Sequence, residues 1–156
     1  MENEPLVPKT EQLESQECWH LLRQVSVGRL AVWHEDGPDI FPVNYTTDHG
    51  TVVFRTGSGA KLQAALSDFP VAMEADGVDP DTGVAWSVVL RGKAELLTQT
   101  EDVLSTFSLP LFPWEAGKKD HFVRVVPGQI SGRRFTVAPP NTWWTPTEGA
   151  HRSAFE

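Results

Sequence analysis

The chain lacks most of the residue patterns that announce a chemistry. It has one cysteine, Cys18, in 156 residues. That excludes an internal disulfide and any zinc site built on paired cysteines. The histidines, His20, His34, His49, His121 and His151, fall at no metal-ligand spacing. No Ser–His–Asp arrangement stands out, and no G-x-G-x-x-G follows a strand-like run, so a nicotinamide-dinucleotide fold is not indicated. Apolar runs stay well short of the ~20 residues a membrane span needs. Basic residues are outnumbered, 13 Lys and Arg against 21 Asp and Glu, for a net charge of −8 and a pI of about 5.1. This balance argues against nucleic acid and an anionic membrane face as partners. It leaves an anionic small ligand open, because local cations decide that. There are no internal repeats. The N-terminus is acidic and carries Pro5 and Pro8, unlike a signal peptide. The expectation is a soluble, cytoplasmic protein.

With 40% hydrophobic residues the chain can bury the core of one domain. Residues 1–14 read as a loose arm. Ser15 is the expected N-cap of a helix whose apolar face is Cys18, Leu21, Leu22 and Val25, ending at Gly28. Cys18 on that face reads as a buried structural thiol. Three extended runs follow, 28–33, 39–45 and 51–56, separated by Glu35-Asp36-Gly37-Pro38 and Asp48-His49-Gly50. Leu30 and Val32 share one face of the first run; Phe41, Val43 and Tyr45 share one face of the second. Pro42 cannot donate to a ladder, so it requires an edge, a bulge or an opening in the sheet.

Gly57-Ser58-Gly59 then leads to a helix from Ala60, with Leu62, Ala65, Leu66 and Phe69 as its apolar face and a stop before Pro70. A strand over 71–76, an acidic loop over 77–83 and a long extended run over 84–97 come next, with Gly92 marking a bulge or bend. Thr98-Gln99-Thr100-Glu101 matches a capping box for a further helix carrying Val103, Leu104 and Phe107. An aromatic loop holds Phe112 and Trp114. Residues 122–126 and 129–136 read as a closing hairpin around Pro127-Gly128. The tail, 137–156, is Pro-rich and carries Trp143 and Trp144. Tight turns between successive strands imply an antiparallel barrel with helices attached, spanning residues 15–136.

Arg55, Thr56, Ser58 and Lys61 cluster at the Gly turn. Backbone N–H groups at a helix start, the helix dipole and two cations make a phosphate site; the alternative is ordinary surface cations beside a turn. Asn44 could offer both a donor and an acceptor to a ligand, or simply enter the turn that follows it. Tyr45 reads as core packing.

Five ordered segments carry a family resemblance: Gly28-Arg29-Leu30-Ala31, Pro42-Val43-Asn44-Tyr45, Phe54-Arg55-Thr56, Gly59-Ala60-Lys61-Leu62, and the run from Trp86 to Glu95. From about Cys18 to Arg134 the chain resembles the pyridoxamine 5′-phosphate oxidase-like flavin-binding split barrels, in particular the nitroimidazole-resistance-type branch. The resemblance implies a mainly β, six-stranded antiparallel split barrel that forms a homodimer and binds FMN in a groove shared by two subunits. It implies that Arg55, Thr56, Ser58 and Lys61 hold the phosphate and ribityl chain, with Ala60 where the oxidase proper has a second cation. Ser87 corresponds to a flavin-contacting glutamine of the oxidase, or is a plain outward strand residue. Arg133 aligns with a flavin-contacting aromatic, or is a surface cation. Trp114 either closes the groove from across the dimer or packs the interface. The implied activity is flavin-mediated hydride or electron transfer from a reductant to a small acceptor, with no evident catalytic side chain. The alternatives are a non-catalytic flavin binder, or a split barrel using deazaflavin or haem. True pyridoxamine phosphate oxidase activity is not expected, since Ser131-Gly132-Arg133-Arg134 replaces its substrate-binding pattern.

Overall fold

The fold was obtained as a computed structural model, and it describes residues 9–98 and 121–137. Seven strands and two helices follow in the order β1 (Thr10–Leu13), α1 (Ser15–Leu22), β2 (Val27–His34), β3 (Gly37–Asp48), β4 (Thr51–Thr56), α2 (Ala60–Ala65), β5 (Val71–Val78), β6 (Val84–Leu96) and β7 (His121–Thr136). All pairings are antiparallel. Strands pair in the order β7, β4, β3, β2, β5, β6, and β6 pairs back onto β7, so six strands close a ring. The expected six-stranded split barrel is the fold found. β1 is a short seventh strand added to the outer edge of β7.

Alternation sets the inside. Leu30 and Val32 of β2, Val43 and Tyr45 of β3, Val52 and Phe54 of β4, Met73 and Ala75 of β5, Val88 and Leu90 of β6 and Val123 and Val125 of β7 form one buried cluster. Such period-two burial is what a sheet with one solvated face requires. Helix α1 adds Cys18, Leu21 and Leu22 to this cluster and α2 adds Leu62, Ala64 and Ala65. The Tyr45 hydroxyl donates to the Leu22 carbonyl at 2.7 Å, satisfying an orphan acceptor at the end of α1 and tying that helix to the barrel.

Several expectations need correction. The last two runs are not a hairpin: β7 is one 16-residue strand. Its register against β6 shifts between Arg91 and Gly92, opposite Pro127, so the Pro-Gly pair marks a bulge rather than a reversal. A Cβ on Gly92 would overlap the Val126 carbonyl, which is why this bulge carries glycine. The arm expected over 1–14 is not loose throughout, because Thr10–Leu13 pairs with residues 132–135 of β7. Glu14, not Ser15, precedes α1 as its N-cap, without a side-chain capping bond. Helix α2 is six residues long and ends before Phe69, which lies exposed against Trp33 with ring centroids 6.2 Å apart. β5 runs to Val78, into the stretch expected as an acidic loop. The expected third helix, Trp114 and the Trp143–Trp144 tail lie outside the described residues.

Candidate functional site

Strand β3 changes neighbours along its length. Its residues 37–44 pair with β2, and residues 45–48 pair with β4. Beyond the last β3–β4 pair, Tyr45 with Phe54, the two strands diverge: β4 continues alongside β7, and the Gly57-Ser58-Gly59 turn and α2 follow it. The result is a fork at which residues 37–44 of β3 have no second partner strand among the described residues. The Tyr45 N–H donates to Ser26 O across the β2 side. By alternation, the main-chain groups of Pro42 and Asn44 point the other way, into the fork. Pro42 therefore costs the barrel no ladder bond, and the opening expected beside it is present.

Asn44 stands at this edge. Its Oδ1 is buried and has no hydrogen-bond partner. A buried acceptor left bare carries a desolvation penalty that a ligand donor would remove. On the other side of the fork, Arg55 projects to the outer face of β4, with its guanidinium carbon 5.2 Å from the centroid of the Phe122 ring. Lys61, in the first turn of α2, holds its ammonium 5.2 Å from the centroid of the Phe41 ring on β3. Both are cation–π contacts that pre-position a charge on an aromatic face. Ser58 Oγ lies 3.1 Å from His121 Nε2. Gly59 has φ 138°, a conformation that favours glycine and turns the chain into α2.

Of the expected site residues, Asn44, Arg55, Ser58 and Lys61 lie on the segments that border the fork. Thr56 is 3% exposed and turned into the core, its hydroxyl donating to Gly57 O at 3.3 Å, so its side chain braces the turn. Ser87 and Arg133 are register partners of each other on β6 and β7. They are not brought to the fork within one chain. Arg133 lies eleven residues along β7 from Phe122, the partner of Arg55, a path of roughly 35 Å at strand rise. The expected helix dipole is weak support, because α2 has only six residues.

Three contributors escaped the sequence reading: His121, Phe41 and Phe122. His121 and Ser58 are separated by 63 positions, and only the β4–β7 pairing brings them together. Alternation puts Phe41 on the inner face of β3, and its contact with Lys61 comes from the tertiary structure.

Beside the fork, Arg29 bridges Glu74 at 3.0 Å and Asp76 at 3.5 Å on the outer face of β2 and β5. Burial first, and then Asp76, push the Glu74 carboxyl up, against the pull of Arg29. Two open clefts, of about 300 and 440 Å3, lie away from the fork, around Leu21, Trp86 and Arg134 and around Trp19 and Pro127. Among the described residues no three His, Cys, Asp or Glu side chains could hold a metal ion, and no helix is long and apolar enough to cross a membrane.

A ring of six antiparallel strands that opens at a cation-bearing turn is the architecture of the flavin-type split barrels. The family model for pyridoxamine 5′-phosphate oxidase matches residues 14–134, and the chain belongs to that family. An uncharacterised Mycobacterium tuberculosis protein is 43% identical over 89 residues, 57% of this chain and 79% of that protein. Two solved structures are similar at 37% identity. One is a Corynebacterium glutamicum protein provisionally assigned as a pyridoxamine 5′-phosphate oxidase, with TM-score 0.72 over 83% of this chain and 95% of that one. The other is an FAD-binding protein of Mycobacterium smegmatis, with TM-score 0.70 over 81% and 98%.

Proposed function

We propose that this protein is a flavin-dependent oxidoreductase, a cytoplasmic homodimer that binds FMN along the outer face of the barrel at the β3–β4 fork. The observation that carries the reading is the pairing of opposites across the fork. A buried, unpartnered acceptor, Asn44 Oδ1, stands on one side, and the Arg55, Ser58 and Lys61 cluster stands on the other. A flavin mononucleotide has the complementary pattern, an imide N–H at the ring edge and a dianionic phosphate at the end of a polyol chain.

In this reading Asn44 Oδ1 accepts from the ring imide, and the Asn44 main-chain N–H donates to a neighbouring ring carbonyl. Arg55 and Lys61 neutralise the phosphate, Arg55 as a planar fork and Lys61 as a point charge, and Ser58 donates its hydroxyl. The bound flavin supplies hydride and electron transfer. The chain contributes orientation and a binding face on which a reduced nicotinamide or other reductant, and then a small planar acceptor, meets the ring. Ser87 and Arg133 complete the groove from the partner subunit. Exposed Trp33, Ile40 and Val89 supply the apolar surface for that dimer.

The experiment is the absorption spectrum of the protein as purified, with mass analysis of any released chromophore, followed by stopped-flow mixing with reduced nicotinamides and then quinone or nitroaromatic acceptors. A two-banded flavin spectrum and released FMN are expected, bleached by the donor and restored by the acceptor. Released FAD would move the reading to that cofactor, which the mycobacterial FAD-binding relative makes the second choice. A Soret band or deazaflavin fluorescence would replace flavin altogether. A flavin that neither donor nor acceptor touches would make the protein a binder rather than an enzyme.

A further inference from the structure

The phosphate end of the fork holds a titratable group with no role so far. His121 opens β7 and is the register partner of Thr56, directly before the Gly turn. Its Nε2 lies 3.1 Å from Ser58 Oγ. The Ser58 hydroxyl has a single proton. If that proton goes to the imidazole, it is not offered to a ligand. If His121 Nε2 carries the proton and donates to Ser58 Oγ, the serine proton is free to point at an anion. An anion at the turn therefore selects the His121 state protonated at Nε2, and the imidazolium meets that demand while adding charge.

We infer that His121 is a positioning residue for the cofactor phosphate: it holds Ser58 as a donor toward the anion and, when protonated, acts as a third cation. The inference rests on the flavin reading above. It also answers the lone alanine at position 60, which supplies no charge. Among the described residues, the charged groups on the elements around His121 include Arg55 of β4 and Lys61 of α2. Arg124 of β7 is committed to Asp48 at 2.8 Å, and Glu95 of β6 is the register partner of Arg124. Lys118, Lys119 and Asp120 precede His121 in the chain, outside the described residues. Histidine is the side chain whose charge changes in the physiological range, so phosphate affinity becomes pH-dependent, tighter as pH falls.

The test is fluorescence titration of FMN and riboflavin against the full chain and its His121→Gln and His121→Lys variants, at about pH 6 and about pH 8. Gln keeps a neutral donor near the Nε2 position; Lys keeps a charge at both pH values. The ionisation of the phosphate itself, near ~6, acts on every variant alike and cancels in the comparison. Relative to His121→Gln, the preference of the native protein for FMN over riboflavin should grow roughly five- to tenfold from pH 8 to pH 6. Measured against the same reference, His121→Lys should show the high preference at both. The inference is overturned if native protein and His121→Gln share one pH profile. It is equally overturned if His121→Lys prefers FMN at pH 8 no more than the native protein does. Should His121→Gln fail to fold, the ratio of the native preference to that of His121→Lys decides alone: it should rise from about pH 8 to about pH 6, and a constant ratio overturns the inference. If the native protein prefers FMN at neither pH, the phosphate reading of the fork falls and takes this inference with it. If the preference exists and disappears in Arg55→Ala while His121 is indifferent, only the role of His121 falls.

Discussion

Arg55 and Lys61 come from different elements and each rests on its own aromatic ring, so either can be removed without collapsing the other. Losing one charge-assisted contact costs about 1.5–3 kcal/mol, or roughly 10- to 150-fold in affinity. Arg55→Ala and Lys61→Ala should weaken FMN by that order and riboflavin far less, and the double variant should bind the two ligands almost alike. Fluorescence titration reads this directly; an intact FMN preference in all three variants would move the phosphate elsewhere. Tyr45→Phe tests a structural bond instead. It leaves the buried Leu22 carbonyl without its 2.7 Å donor, so urea unfolding should show a loss of about 1–2 kcal/mol. Cys18 is fully buried, and burial pushes its thiol up, so it stays protonated and shielded. A thiol reagent should label it only after unfolding; rapid labelling of the folded chain would contradict its place in the core.

At the scale of elements, β1 and β7 depart most from a local reading. β1 is four residues of polar appearance, Thr10-Glu11-Gln12-Leu13, yet it covers the edge of β7 and packs Leu13 on the core. Deleting residues 1–8 should leave stability unchanged. Deleting residues 1–13 should cost roughly 1–3 kcal/mol through lost ladder bonds and lost burial of Leu13. Denaturant midpoints of the two truncations separate these outcomes, and equal midpoints would show that β1 contributes nothing. The long strand β7 depends on Gly92 across from it. A side chain there meets the Val126 backbone rather than a flexible side-chain tip, so Gly92→Val should yield little folded protein. A soluble Gly92→Val protein of native circular dichroism would mean the bulge can relax.

At the scale of the whole molecule, the ring distributes the expected ligand contacts to two places that one chain does not bring together, the fork at Asn44 and Arg55 and the register pair Ser87 and Arg133. Exposed Trp33 and Ile40 on the outer face are apolar surface that a partner would cover. Sedimentation at micromolar concentration should give twice the 17.3 kDa of the chain. A monomer that still binds flavin tightly would refute the shared groove while leaving the fork intact.

Local order was readable from the residues alone. β4 has the expected bounds, and the two strands before it extend the expected runs by only a few residues at each end. Strict alternation and turn-forming tripeptides are local signals, and period-two burial follows from them. The break in pairing beside Pro42 and the Gly92 bulge were legible for the same reason: each depends on residues within a few positions of one another. Long-range pairing decided the rest. Pro127-Gly128 looks like a turn in any local window, and only full pairing with β6 keeps the chain extended through it. Thr10–Leu13 becomes a strand because β7 offers it an edge, not through any period of its own. His121 reaches Ser58 across 63 positions through the β4–β7 ladder. The orphaned acceptor of Asn44 arises because β3 leaves β4 where it does. Contacts of this kind depend on where the ring closes, and no window of sequence contains both sides of that closure.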